Sequence, residues 1–203
     1  MAYGLLIDIT QCIGCGACVT ACQEINGLPE QAEPKELDYR NFTVLNQYGE
    51  AYVRRLCRHC HEPACASVCP EGALEKMPEG PVNYDESKCI GCRYCLLACP
   101  FEIPKYEWHS NNPRVRKCTM CYEQRTSKGE TTACSEACPT GATLFGDYDE
   151  LLAEAHKRLK ENPDTYVQHI YGEKEIGGTQ VIFLSSIPFE KLAKHRCRNI
   201  RGE

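Results

Sequence analysis

Several absences narrow the class of this 203-residue chain before any motif is considered. No apolar run approaches the roughly 20 residues that a membrane helix needs. The longest candidates, residues 4–9 and 181–189, are strand-length and interrupted. Basic charge is not in excess either: 23 Lys and Arg stand against 28 Asp and Glu, a formal net charge of −5. That balance argues against nucleic acid as a general partner, which would want a basic face. No secretory or twin-arginine leader precedes Ile7. The expectation is a chain soluble by itself, cytoplasmic or held at a membrane through partners, with export bound to a leader-bearing partner as an open route.

Cysteine, in contrast, is abundant. Of 17 cysteines, sixteen fall into four groups of four. The first is Cys12-x2-Cys15-x2-Cys18-x3-Cys22, and the second is Cys57-x2-Cys60-x4-Cys65-x3-Cys69-Pro70. The third is Cys89-x2-Cys92-x2-Cys95-x3-Cys99-Pro100, and the fourth is Cys118-x2-Cys121-x12-Cys134-x3-Cys138-Pro139. A cubane iron–sulfur cluster has four iron corners, and each takes one outer ligand, for which thiolate is the soft donor of choice. In Cys-x2-Cys-x2-Cys the chain coils tightly, so three sulfurs reach three corners from one loop. The fourth cysteine sits a turn into the following helix, and in two-cluster ferredoxins it ligates the other cluster. A proline after the last cysteine ends the turn rigidly and brings no backbone N–H. The first group has Gln23 there instead.

Other uses of cysteine fit less well. Disulfide frameworks belong to short secreted domains, and a chain of this length can build a core without them. They also give no reason for one spacing to recur four times. Structural zinc uses paired Cys-x2-Cys knuckles, with no need for the third cysteine seen in the first and third groups. Zinc is more plausible in the fourth group, where a long insertion precedes Cys134. A thioredoxin-type Cys-x-x-Cys would be a single motif. The spacing therefore points to four [4Fe–4S] clusters.

The groups are internal repeats. Residues 12–22 (CIGCGACVTAC) and 89–99 (CIGCRYCLLAC) match at all four cysteines and at Ile, Gly and the last Ala, and Cys-Pro-x-Gly-Ala recurs at 69–73 and 138–142. Residues 4–9 are expected to form a strand entering the first loop, with 83–85 leading similarly into the third. Residues 42–45 and 51–53 read as a hairpin. Asp147 and Glu150 suit a helix N-terminus, Leu151, Leu152, Ala155 and Leu159 form one apolar stripe, and Asn162-Pro163 ends it. Residues 179–184 read as a strand, followed by a basic end. With few other apolar residues, the clusters themselves should act as core, so that metal binding is folding free energy.

Taken in order, GLLIDITQCIGCGACVTAC, CRHCHEPACASVCPEGAL, CIGCRYCLLACPFEIP and the pairing of RKCTMCYEQR with ACSEACPTGATLFGD carry a family resemblance. The chain resembles the four-cluster iron–sulfur (beta) subunits of the dimethyl sulfoxide reductase superfamily complexes. That subunit type serves formate dehydrogenases, polysulfide and nitrate reductases, and a class of membrane-bound hydrogenases. The match covers residues 3–148. In the tail, YGEKEIGGTQVIFLSSIPFEKL resembles the corresponding region of formate dehydrogenase and hydrogenase partners.

The resemblance implies an α+β fold of two bacterial-type two-cluster ferredoxin-like domains. Residues 1–56 and 105–148 would form the first domain, 57–104 the second, and 149–203 a helix plus C-terminal docking extension. It implies a ligand swap too. Cys12, Cys15 and Cys18 would join Cys138; Cys118, Cys121 and Cys134 would join Cys22. Cys57, Cys60 and Cys65 would join Cys99, and Cys89, Cys92 and Cys95 would join Cys69. Some relatives replace a cysteine of the third group and hold a three-iron cluster, but all of its cysteines are present here.

The functional expectation is a non-catalytic electron-transfer subunit, because every strong motif is used by ligands. It would relay electrons between a molybdopterin or tungstopterin catalytic subunit, best guess formate dehydrogenase, and a quinone-reactive membrane subunit. The alternatives are the iron–sulfur subunit of a membrane-bound hydrogenase and a free-standing polyferredoxin. Cys197 is left over as a free thiol. His59 and His61 flank Cys60 as hydrogen-bonding or surface residues, and Tyr94 and Trp108 would pack around clusters. Arg54 and Arg55 precede the second group and Arg58 follows its first cysteine, and Arg114, Arg116 and Lys117 precede the fourth, where positive charge would raise a cluster's potential. Gln23 should affect only its turn. Removal of the tail from residue 179 is expected to free the chain from its partners and spare its clusters.

Overall fold

A computed structural model describes residues 1–192. Cys197 and the basic residues Lys194, His195, Arg196, Arg198 and Arg201 lie outside the described residues. The central strand of the first unit is β1 (Tyr3–Asp8). On one side it pairs antiparallel with β8 (Thr143–Asp147), and on the other parallel with β9 (Val181–Leu184). The unbroken apolar run of β1 follows from burial on both faces. Leu5 and Ile7 pack with Val181 and Phe183 against the cysteine-bearing core, beside Cys22, Cys57 and Cys118. Leu6 alternates to the opposite face with Ile182 and Leu184. There they meet α5 (Tyr148–Glu161) through Leu151, Ala155 and Leu159, the stripe legible in the sequence. The Asp147 carboxylate accepts from the Asp149 and Glu150 N–H groups at 3.0 and 3.2 Å and so caps α5.

Asp8 ties this layer to the first cysteine loop. One carboxylate oxygen accepts from the Thr10 N–H and hydroxyl at 3.0 and 2.6 Å, which starts the 3₁₀ turn at Ile9–Gln11. The other accepts from Arg158 Nη1 at 2.9 Å and the Tyr166 hydroxyl at 2.8 Å. Asp8 is buried, and these charge-assisted bonds offset the cost of placing a carboxylate there.

The remaining elements carry the cysteines. In the first unit, α1 (Ala17–Ile25) packs on α4 (Ala133–Glu136), and β2 (Val44–Tyr48) pairs with β3 (Ala51–Arg55). In the second, α2 (Ala64–Ser67) packs on α3 (Tyr94–Ala98), and β4 (Leu74–Lys76) pairs with β5 (Val82–Tyr84). A hairpin of β6 (Lys105–Tyr106) and β7 (Val115–Arg116) buries Tyr106 and Val115 among Cys65, Leu74, Val82 and Cys95. This segment packs on the second unit, whereas the expected boundary placed residues from 105 onward in the first. Its apolar content is too short to have shown in the sequence which unit it covers.

The tail also departs from expectation. Between a partner surface and packing back onto its own body, the apolar run takes the second, with all four residues of β9 buried within the chain's own sheet. The tail touches the second cysteine group as well, since Gln180 N–H donates to the His59 carbonyl at 3.2 Å and His61 N–H to the Gly178 carbonyl at 3.0 Å. The helix α6 (Phe189–Leu192) follows, and Leu192 is buried in the same core as Phe183. Losing β9 would leave an edge of β1 unpaired and remove Val181 and Phe183 from one core and Ile182 and Leu184 from the other. Deletion of residues 179–203 is therefore expected to abolish the folded chain and its iron content together, as read by iron analysis and protease resistance. A truncated protein with undiminished iron would contradict the role given to β9.

Candidate iron–sulfur sites

The four cysteine loops share one backbone device. The residue before the second cysteine lies in the left-handed region in every loop: Gly14 (φ 76°), His59 (φ 50°), Gly91 (φ 71°) and Met120 (φ 59°). A left-handed residue at this point reverses the chain and turns successive N–H groups toward one side, a geometry suited to an anionic centre. Cys118 Sγ accepts from the Met120 N–H at 3.3 Å, and the Gly14 N–H serves Cys12 in the same way. The third loop is entered like the first. Asp85 accepts from the Ser87 N–H and hydroxyl at 2.9 and 2.6 Å, as Asp8 does from Thr10, and both 3₁₀ turns end on a cysteine. Two of the left-handed residues must be glycine for space. A Cβ on Gly14 would lie 2.5 Å from the Tyr52 ring, and one on Gly91 would lie 2.5 Å from the Tyr106 hydroxyl.

The loops feed helices that carry two cysteines four residues apart. Cys18 and Cys22 lie on α1, Cys65 and Cys69 on and just beyond α2, Cys95 and Cys99 on and just beyond α3, and Cys134 and Cys138 on and just beyond α4. Where proline follows the second cysteine the helix stops. The next turn closes with N–H to carbonyl bonds from Gly72 to Cys69, Glu102 to Cys99 and Gly141 to Cys138, at 3.2–3.3 Å. Gln23 does more than alter its turn. Without a proline α1 runs on to Ile25, and the buried Gln23 amide donates to Asn41 Oδ1 at 2.9 Å and the Gln31 carbonyl at 3.3 Å.

Thiols of separate motifs come close to one another, and the closeness also runs across the expected sets, as Cys18 is near Cys134 and Cys118 near Cys57. Cys12 and Cys18 lie within electrostatic reach of each other and of Cys138, with Cys15 beside Cys12. Cys22 faces Cys118, Cys134 and Cys121. Cys57, Cys60 and Cys99 surround Cys65. Cys92, Cys69 and Cys89 surround Cys95. All sixteen are free thiols. Among the described residues none of the sets is drawn in tightly enough to hold a single metal ion, and a cubane, with one iron per thiolate, asks for no such convergence.

Burial pushes the thiols toward their neutral form. Desolvation raises Cys60, Cys65 and Cys118 to about 12 and Cys95 to about 11, with neighbouring thiols adding to the rise. At Cys138 burial is outweighed by the N–H groups of Thr143, Thr140 and Ala142 and the Thr140 hydroxyl, and the thiol is lowered. Thiolate ligation must then displace protons from most of these sulfurs. Buried thiols, inward N–H groups and nearby cations suit soft, anionic [4Fe–4S] groups.

The cations are not where sequence proximity suggests. Arg54 precedes the second group, yet its side chain faces Cys134, Cys18 and Cys118 of the first and fourth. Lys117 precedes the fourth group, yet it lies near Cys65 and Cys99, with Nζ donating to the Val82 and Cys118 carbonyls. Arg114 donates to the Cys89 carbonyl at 2.7 Å, and Arg116 pairs with Glu107 at 2.6 Å and Glu86 at 3.2 Å. Arg58 stacks over Phe183, 4.0 Å from the ring centre. Lys76, which no sequence signal singled out, sits near Cys60 and Cys57 and donates to the His59 and Gly80 carbonyls at 3.2 and 2.6 Å. Burial lowers it to about 8, against the pull of the two thiols. His59 is fully buried and its Nδ1 accepts from the Val82 N–H at 2.9 Å, while His61 packs edge-on to Tyr148. Tyr94 and Trp108, expected as packing around clusters, are 56% and 63% exposed.

This repeated geometry coincides with known families. The 4Fe-4S dicluster domain matches residues 49–148, and the 4Fe-4S binding domain matches residues 5–24. The chain thus holds ferredoxin-type [4Fe–4S] domains. It is 40% identical over 237 residues to the hydrogenase-2 operon protein HybA of Escherichia coli O157:H7, covering 94% of this chain and 72% of the relative. It is 36% identical over 198 residues to the nitrate-inducible formate dehydrogenase iron-sulfur subunit of Escherichia coli K12, covering 88% of this chain and 66% of the relative. A protein of Nitratidesulfovibrio vulgaris is 42% identical over 205 residues, covering 93% of this chain, which spans 55% of that relative's length. The chain belongs to the family of iron–sulfur subunits to which these hydrogenase and formate dehydrogenase proteins belong.

The repeats separate two kinds of loop glycine. Gly16 also has a positive φ, but nothing lies within 4 Å of an added Cβ, and Arg93 fills the matching place in the third loop at φ 65°. Gly16→Ala should cost about 1 kcal/mol and keep its iron. Gly14→Ala, which drives a methyl into Tyr52, should lose the iron held by the first loop. Iron per chain after anaerobic reconstitution distinguishes them, and equal iron in both variants would contradict the steric account.

Proposed function

We propose that the chain is an electron-transfer subunit carrying four [4Fe–4S] clusters. Each would be held by one of the four thiol sets: Cys12, Cys15, Cys18 and Cys138; Cys22, Cys118, Cys121 and Cys134; Cys57, Cys60, Cys65 and Cys99; Cys69, Cys89, Cys92 and Cys95. The closeness of thiols from separate motifs carries the reading. A bound cubane cluster supplies reversible one-electron storage, and the chain supplies spacing and potential.

The sets follow one another in a row. Helices α1 and α4 join the first two in the order above, and α2 and α3 join the last two. Cys118 of the second set lies within electrostatic reach of Cys57 of the third. The two ferredoxin-like units would therefore adjoin at these middle sets. Beside each outer set an isoleucine is exposed, Ile13 at 63% and Ile90 at 64%, and Leu97 on α3 is 82% exposed. Apolar exposure beside both outer sets suits a chain that hands electrons from one partner to another.

The partners would be a catalytic oxidoreductase subunit and a quinone-reactive membrane subunit. No helix among the described residues is long and apolar enough to cross a membrane, so a membrane attachment through this part of the chain would be made by a partner. Formate dehydrogenase was the first expectation for the catalytic partner. A hydrogenase is supported as well, by the 40% identity to the hydrogenase-2 operon protein. Purifying the complex anaerobically and assaying hydrogen- and formate-dependent dye reduction separates the two.

The cluster reading makes a compositional prediction and a site-specific one. Native protein should hold about sixteen iron and as much acid-labile sulfide. Stoichiometric zinc without sulfide would refute it. Cys22→Ser should remove or alter the electron paramagnetic resonance (EPR) signal of the cluster on Cys118, Cys121 and Cys134, leaving the one on Cys12, Cys15 and Cys18. Loss of the latter signal instead would show that the motifs do not interleave.

A further inference from the structure

The Arg54 guanidinium lies in the interior of the first unit, 3% exposed, on a strand whose next cysteine belongs to another set. Its Nε donates to Thr43 Oγ1 at 2.9 Å and its Nη1 to Thr143 Oγ1 at 3.4 Å, and its charge lies nearest the Cys134 sulfur. The threonines are themselves buried, one just before β2 and one at the start of β8, so the side chain is clamped between two elements. Two neutral hydroxyls do not compensate a buried positive charge, which is stable only when it faces an anion. Deprotonated on iron, the nearby sulfurs would be those anions. Arg54 lies within electrostatic reach of Cys12 and Cys18 in the first set, and of Cys22, Cys118, Cys121 and Cys134 in the second. The third set has its own cations, Lys76 beside Cys60 and Lys117 beside Cys65 and Cys99.

We propose that Arg54 is a shared positioning charge for two neighbouring cluster sites, raising the reduction potential of both while leaving the other two alone. The proposal rests on the ligand sets given above. Reduction adds one negative charge to a site, and a fixed cation in a low-dielectric interior favours the reduced form. Because one guanidinium serves both sites, its removal must move both potentials in the same direction. A residue that only filled space would not select two sites out of four.

The test is an EPR-monitored potentiometric titration of the full chain, with iron counted in each sample. Arg54→Met should lower the reduced-to-oxidised ratio at a fixed ambient potential by about tenfold for two of the four signals, about 59 mV for a one-electron couple. These are the signals lost in Cys12→Ser and Cys118→Ser, and the remaining two should stay in place. Arg54→Lys, which keeps the charge, should restore most of the shift. If Arg54→Met sheds iron, Thr43→Val is titrated instead. That change frees the guanidinium from one of its two hydroxyl anchors, and the same two signals must move together, in one direction, while the other two hold. Full iron with all four potentials unmoved would overturn the role of Arg54 and leave the ligand sets standing. A shift confined to one signal, or shared by all four, would overturn it too. Wild-type protein without clusters would overturn both.

Discussion

Two thiols four residues apart on one short helix constrain this molecule more than any other feature. At about 1.5 Å rise per residue, they sit about 6 Å apart along the axis on one face. In the proposed sets the two thiols serve different sites, so each helix would stand between two sets of sulfurs. Pairing α1 with α4 and α2 with α3 lets two helices bridge each pair of sets. The first motif must then find the fourth across more than a hundred residues, as Cys12 lies near Cys138. The chain order of the two units follows, with the second inserted between the halves of the first. The β1–β8 pairing, Tyr3 opposite Asp147, joins those halves from the other side.

The same arrangement sets the electrostatic problem. Sixteen sulfurs in a small interior would repel one another as thiolates, and burial alone holds most of them protonated in the unligated chain. Inward N–H groups, the buried cations Arg54 and Lys117 and the half-buried Lys76 oppose that tendency. All three side chains are fixed by hydroxyl or carbonyl acceptors supplied by strands and turns around the cysteine loops. Charge is thus placed by the fold, not by neighbouring positions in the chain, and Arg54 is the clearest case. It stands three residues before Cys57 and faces thiols of two other sets.

Local features were legible in the sequence because they depend on local chemistry. The cysteine spacing, the strand before Cys12, the hairpin after residue 42 and the capped helix at Tyr148–Glu161 all follow from short-range pattern. The sequence misled where a choice depended on distant packing. Residues 181–184 read as an apolar strand seeking a partner, and nothing in them says that the partner is β1 of the same chain. Tyr106 and Val115 are too few to show which unit they cover. Gln23 looked like the loss of a proline, but its value lies in Asn41 and Gln31, contacts that become visible only once the intervening loop is placed.

Diffraction at the iron absorption edge tests the interleaved arrangement most directly. Crystals of the anaerobically prepared chain should show four iron centres in a row, each bound by three sulfurs of one motif and one sulfur of another. The centre nearest Cys12 should take Cys138, and its neighbour should take Cys22. A centre whose four sulfurs all come from a single motif, or scattering at the zinc edge in place of iron, would contradict the account.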